Sequence, residues 1–247
     1  MAEQPDELKE ETPGGSTPIF TYDHTKPQVD YPPSDLREGW REALEAHLRA
    51  YLGPCATVYH EIVSTTVHLD LYIYAPTEAR PYFTIVTSGI SARPLHVPEG
   101  AEEFGRLELM LYLPADWNFD FKAGGEAAWW PFRLLKFLGR FVHEYRTFLA
   151  PGHTVAESDP PEPYMNNTLL SMALLLSPVL EEEGFDQLAI EGTPCRFLWV
   201  WPITNDEGRL KIKVGLQALL GRLVDAGVSP IIDPSRPCAV TGKRPAL

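Results

Sequence analysis

The spacing of hydrophobic residues predicts a helix in the first quarter of the chain. Between residues 32 and 54 apolar side chains recur at every fourth position, which places them on one face of a helix. These side chains are Leu36, Trp40, Leu44, Leu48 and Leu52. Ser34 is expected to cap the N-terminus, and Gly53, followed by a proline, is expected to end the helix.

Two further helices are predicted later in the chain. Residues 129–149 keep a helical spacing of their apolar positions. The last predicted helix covers residues 204–227. It begins with Thr204 and Glu207, which match the T-x-x-E pattern of a capping box.

Five segments carry the patterns of strands instead. Two of them alternate apolar with polar residues, and the others are apolar throughout, as strands buried on both faces are. The predicted strands cover residues 67–74, 81–89, 106–114, 168–178 and 195–203. Strands interleaved with helices predict an α/β fold, here a single domain with a mixed central β-sheet flanked by helices.

The strand predicted at residues 67–74 has one polar and aromatic face, which carries His68, Asp70, Tyr72 and Tyr74. Tyrosine is enriched at protein interfaces, and an unpaired strand edge can accept a strand from a partner. This row of four residues is therefore a candidate partner-binding surface. The alternative is that the strand is internal and that a helix covers its second face.

The two ends of the chain lack hydrophobic periodicity. Residues 1–30 are acidic and rich in proline and glycine, and they are predicted to be largely disordered. Residues 31–232 are predicted to form the domain, and residues 233–247 a Pro-rich tail. The sequence shows no signal peptide and no apolar run of the roughly 18 residues that a membrane span needs, which favours a cytoplasmic protein.

Net charge narrows the range of partners. Asp and Glu number 34 and Lys and Arg 21, which gives the chain of 247 residues a net charge of −13. A field of this sign repels nucleic acid and anionic membranes and speeds the encounter with a basic protein, although solubility alone would also explain it. The three cysteines have no metal-ligand spacing and no phosphate-binding loop is present, so no metal or cofactor is expected.

Catalytic patterns are weak. Ser88 stands at the end of an apolar strand, but a hydrolase nucleophile elbow needs G-x-S-x-G, and both glycine positions hold other residues. The remaining enzyme hypothesis uses His153, predicted in a loop, as a base together with Glu108 or Asp70. We expect instead that the chain is not an enzyme.

Four stretches carry a family resemblance: YFTIVTSGIS (82–91), LELMLYLPADW (107–117), WWPFRLLKFLGRFVHEYRTFLAPGHT (129–154) and FLWVWPITNDE (197–207). In this order and near this spacing they resemble the suppressor of fused (SUFU) domain family, from about Tyr59 to Gly227. We call the most specific of these positions the signature residues. They are Thr87, Ser88, Gly89, Glu108, Pro114, Trp117, Gly152, His153, Pro202 and Glu207.

The resemblance implies a mixed-sheet α/β domain that binds another protein and has no catalytic activity. It also implies a stand-alone bacterial type, whose members are proposed to be immunity proteins that neutralise toxins. A regulatory adaptor for an internal protein partner is a further role that the resemblance leaves open. Ser88 is then part of the architecture, and we expect the hydroxyls of Thr87 and Ser88 to bond nearby backbone groups.

Overall fold

A computed structural model describes residues 9–11, 19–22, 34–64 and 66–246 of the chain. The helices in this part are α1 (Glu38–Leu52), α2 (Phe121–Glu144), α3 (Asn205–Val214) and α4 (Leu216–Asp225). The strands are β1 (Lys9–Glu11), β2 (Ile19–Thr21), β3 (Thr57–Tyr59), β4 (Asp70–Tyr74), β5 (Tyr82–Ser88), β6 (Leu107–Pro114), β7 (Thr154–Ala156), β8 (Leu170–Leu176), β9 (Gln187–Ile190) and β10 (Thr193–Thr204).

Eight of these strands form one sheet. The sheet is mixed, as the sequence predicted. Its order is β3-β4-β5-β6-β10-β8-β7, and β9 pairs with the N-terminal part of β10. β6 and β10 run parallel, and the other neighbouring strands run antiparallel. β1 and β2 pair with each other as a separate two-stranded sheet.

The sheet is the middle of three layers. α2 packs on one face, where it buries the leucines of β6. α1 and α4 pack on the opposite face, where they cover Met110 and Tyr112 of the same strand. Because helices cover both faces, the inner strands are apolar on both sides, which confirms the predicted α/β architecture.

Three helix predictions need correction. The helix predicted at residues 129–149 is α2 (Phe121–Glu144), which begins and ends earlier in the chain than predicted. α1 begins at Glu38, because Ser34 forms a β-bridge with Val67 and its hydroxyl accepts a hydrogen bond from Arg93 instead of capping the helix. The predicted last helix is two helices. Gly215 separates them with a φ of 107°, in the left-handed region that favours glycine.

Three strands of the sheet were not predicted, namely β3, β7 and β9. Each has only three or four residues and is partly exposed, which is too short for an alternating pattern to be recognised. β7 lies inside the segment predicted as a loop around His153. Together β3 and β7 form the two outer ends of the sheet.

The C-terminal segment packs against the domain, so the prediction of a tail from residue 233 is wrong as far as Ala239. Arg236 and Cys238 are 7% and 2% exposed. Isolated anchoring side chains in a Pro-rich segment give no periodic pattern, which is why the sequence did not predict this packing. Most of residues 1–30, which are predicted to be largely disordered, lies outside the described residues. Of the described ones, Lys9–Glu11 and Ile19–Thr21 form the paired strands β1 and β2, and Tyr22 donates a hydrogen bond to Thr147 just after α2.

Candidate functional site

A buried carboxylate connects β6 to the turn that follows β5. Glu108 accepts hydrogen bonds through Oε1 from the N–H groups of Gly89 and Ser91 (both 3.0 Å) and from the Ser91 hydroxyl (2.6 Å). Its Oε2 accepts from the Thr87 hydroxyl (2.6 Å) and from the N–H of Ile90 (3.4 Å). Burial raises the pKa of Glu108, and these donors oppose the rise. The carboxylate is fully buried, so it anchors the turn and is closed to substrate.

The Thr87-Ser88-Gly89 signature belongs to the same anchored turn. The Thr87 hydroxyl accepts a hydrogen bond from the N–H of Leu109 (2.8 Å), as expected for a side chain that bonds nearby backbone. Its bond to the carboxylate on β6 was not predicted. Gly89 has a φ of 140°, and a Cβ at this position would lie 1.9 Å from the carbonyl oxygen of His68. Ser88 is only 4% exposed, which excludes an accessible nucleophile at this strand end.

A second buried carboxylate fixes the C-terminal segment. Glu207 forms the predicted capping box with Thr204 and an ion pair with Arg236, whose Nη1 and Nη2 lie 2.7 Å from its two oxygens. Burial alone would raise the pKa of Glu207, but Arg236 and the N–H groups of Thr204 and Ala239 outweigh it and hold the pKa below its usual range. Arg236 also donates to the carbonyl of Pro202 (3.3 Å), so two signature residues meet here.

The remaining signature residues also serve local structure. Pro114 ends β6, and the Trp117 Nε1–H donates to a backbone carbonyl in α2 (3.4 Å). Gly152 has a φ of 90°, and its N–H donates to the carbonyl of Leu175 (2.7 Å). Burial and a lysine on α3 lower the pKa of His153, whose backbone also bonds β8.

The structure separates the residues of the enzyme hypothesis. His153 immediately precedes β7, three strand spacings from the β6 that carries Glu108 and five from the β4 that carries Asp70. At about 4.8 Å per strand these spacings are about 14 Å and 24 Å. A proton transfer needs hydrogen-bond reach, so these residues do not form an acid-base pair.

A polar cluster that sequence reasoning did not assemble surrounds Asp70. Its Oδ1 accepts a hydrogen bond from the N–H of Glu61 and lies 3.0 Å from His68 Nε2, and its Oδ2 lies 3.0 Å from His60 Nδ1. The His60 side chain is 71% exposed. The cluster therefore fixes the loop between β3 and β4 at the surface.

Glu61 holds the same loop to α2. Its carboxylate pairs with Lys136 (3.2 Å) and Arg140 on α2 and accepts from the N–H of Leu69 (3.1 Å). Burial alone would raise the pKa of Glu61, and these partners together with Ser64 lower it. The two cations lie more than 70 positions away in the sequence, which is why no local pattern revealed the ion pairs.

The proposed partner-binding row is mostly buried. β4 is not an edge strand, because β3 and β5 flank it. Asp70, Tyr72 and Tyr74 are 6%, 6% and 2% exposed, and the two tyrosines pack in the layer of α1. Of the row only His68 is partly accessible. The internal-strand alternative is therefore correct, and the basis for strand addition at β4 is lost.

Within the described part of the chain, no group of three or more His, Cys, Asp or Glu side chains is placed to hold a metal ion. In the same residues, none of the helices combines the length and the apolar character needed to cross a bilayer. Two cavities formed by the described residues, one beside the C-terminal end of α2 and one beside the C-terminal segment, have no signature residue in their lining. The arrangement is a scaffold in which the carboxylates of Glu108 and Glu207 are bonded by other groups of the chain.

Known proteins of similar sequence or structure have the same fold as this chain. The family model described as Suppressor of fused protein (SUFU) matches residues 65–237. No curated protein matches the sequence significantly. The crystal structure of a SUFU homologue from Neisseria gonorrhoeae is similar, with a TM-score of 0.59 and 15% identity over 81% of this chain and 96% of that one.

A second similar structure is that of a Sufu–Fu complex, with a TM-score of 0.53 and 15% identity over 74% of this chain and 83% of that one. At this identity the two structures show a shared fold. The family model covers well over half of the chain and includes all ten signature residues. The chain belongs to the suppressor of fused protein family.

Proposed function

We propose that this chain is a non-catalytic, cytoplasmic protein-binding domain. The observation that carries the proposal is the internal use of the reactive signature residues. Glu108 and Glu207 are buried and bonded by the chain itself, and His153 is remote from both Glu108 and Asp70. A protein-binding role agrees with family membership and with a relative that is found in a Sufu–Fu complex.

The proposed partner is a basic protein. The net charge of −13 would speed its association and would suit the masking of a basic active site, such as that of a nuclease toxin. This supports the finer proposal that the chain is an immunity protein that neutralises a toxin. A regulatory adaptor for an internal protein partner is the second candidate, and the Sufu–Fu complex agrees with it as a complex with another protein.

A growth experiment separates the two roles. A toxin domain encoded beside the gene for this chain is expressed in a test bacterium, with and without the full chain. Immunity predicts that growth is rescued and that the two purified proteins bind each other, more weakly at high salt because the attraction is electrostatic. Growth arrest that the chain does not relieve, or the lack of a neighbouring toxin, would favour the adaptor role.

A matched charge variant tests the electrostatic part. Glu182 and Glu183 are exposed neighbours in the loop before β9. Replacing both with Gln removes two negative charges and is expected to lower the association rate. Replacing the exposed Arg222 with Gln makes the surface more negative, so that variant should associate at the same rate or faster.

A further inference from the structure

A cavity of about 270 Å³ lies where the C-terminal end of α2 meets the segment that follows β5. Two of its lining residues, Arg93 and Arg146, carry a positive charge, and two more, His96 and His143, are histidines. The described residues that line it include no carboxylate, although the chain as a whole carries a net charge of −13. The cavity therefore carries a positive charge on a protein whose net charge is negative.

Arg146 reaches this cavity from an unusual backbone position. It follows the end of α2 with a φ of 49°, and the N–H of the next residue, Thr147, donates to the carbonyl of Val142 (3.0 Å). This bonding is the Schellman arrangement, in which glycine is the usual residue at the left-handed position. An arginine in this conformation strains the backbone, and strained positions are enriched at ligand-binding and active sites. No described carboxylate forms an ion pair with Arg146.

The surroundings of the two histidines keep both rings neutral, and their hydrogen-bond partners fix the role of the bonded ring nitrogen. His143 Nε2 lies 3.0 Å from the carbonyl of Ile90, which only accepts, so Nε2 carries the proton and Nδ1 a lone pair. Burial lowers the pKa of His143 to about 4, helped by Arg93 and Arg106. Burial and Arg146 likewise lower the pKa of His96, whose Nε2 accepts from the Arg146 guanidinium (2.9 Å).

We propose that this cavity binds an anionic group with two or three oxygens, a carboxylate or a phosphate. The guanidinium of Arg146 presents a planar fork of N–H donors that suits either group. The volume of the cavity accommodates the anionic group and the first atoms of the molecule to which that group is attached. The proposal does not depend on the binding of a basic partner, because it concerns a surface of the opposite charge.

The test uses the full chain and nuclear magnetic resonance of the histidine ring protons near neutral pH. Inorganic phosphate is added in one titration series, and sodium chloride is added at the same ionic strength in a control series. We expect saturable shifts for His96 and His143 and none for His47, which packs on Phe185 on the other side of the sheet. A second arm uses a short peptide with a single acidic side chain. Tighter binding of the peptide would identify the ligand as an acidic side chain of a protein. Tighter binding of phosphate would identify the ligand as a small anion.

Two substitutions separate binding from folding. Arg146→Gly and Arg146→Asn both suit the left-handed backbone, so the melting temperature should stay the same or rise while affinity falls at least about tenfold, a typical loss for one charged contact. Arg222→Gln, on the exposed surface of α4, should leave the affinity unchanged. Phosphate and peptide both failing to shift His96 and His143, or equal binding by the Arg146 variants, would overturn the proposal.

Discussion

Replacing Glu108 with glutamine tests whether the signature turn is architecture. The substitution keeps the shape of the side chain and one oxygen, which can still accept from Gly89 and Ser91. It puts an NH₂ group where Oε2 accepts from the Thr87 hydroxyl (2.6 Å) and the Ile90 N–H (3.4 Å). Thr87 Oγ1 already accepts from a backbone N–H, so its hydroxyl hydrogen is left without an acceptor in a buried site.

The expected cost follows from these contacts. A hydrogen bond to a charged group contributes about 1.5–3 kcal/mol, and the longer Ile90 contact adds little. Against this, the neutral amide avoids the desolvation that raises the pKa of Glu108. We expect a net loss of about 2 kcal/mol, which in a domain of this size lowers the melting temperature by roughly 4–8 °C.

The assay is urea unfolding followed by tryptophan fluorescence, with Glu182→Gln as the exposed control. The control should change stability by no more than about 0.5 kcal/mol. If Glu108→Gln were as stable as the control, the carboxylate would not hold the turn.

Four further predictions follow from the same contacts. Gly89→Ala should lower the free energy of unfolding by more than about 3 kcal/mol or prevent folding, because the new Cβ would overlap the His68 carbonyl. An unchanged stability in urea unfolding would contradict this. Arg236→Met should destabilise the fold by about 3–5 kcal/mol, because it leaves the buried Glu207 carboxylate without its cation, whereas a loose tail would tolerate the change. The loss should be largest above the unfolded pKa of about 4.3 and shrink as acid protonates Glu207, and a loss independent of pH would refute that ion pair. Limited proteolysis should cut outside residues 34–239, and rapid cleavage between residues 60 and 220 would contradict a single domain.

The long periodic elements could be predicted from sequence, because burial on a helix face or strand leaves a repeating pattern. The leucines of α1 and the alternating faces of β6 are examples. The break at Gly215 escaped prediction, because the apolar pattern continues across it and glycine also occurs within helices.

The candidate site was predicted less well, because it depends on pairing between distant segments. The sequence indicated Thr87 and Glu108 separately, but only the pairing of β5 with β6 brings them together. The alternation of their strand placed Tyr72 and Tyr74 on one face but left open whether a partner or a helix covers that face. α1 covers that face, and the strand pattern carries no information about the covering helix. Arg236 was missed because one anchoring side chain in a Pro-rich segment resembles a tail.

The most direct test of the central claim is the fate of a captured partner. The full chain is used to recover its partner from source cells, and the purified partner is then titrated back by calorimetry and weighed by intact mass spectrometry. A non-catalytic binding domain predicts a stable complex, with a Kd of about 1 μM or tighter, and a partner of unchanged mass. A partner whose mass changes on incubation with the wild-type chain, with release from the complex, would contradict the account.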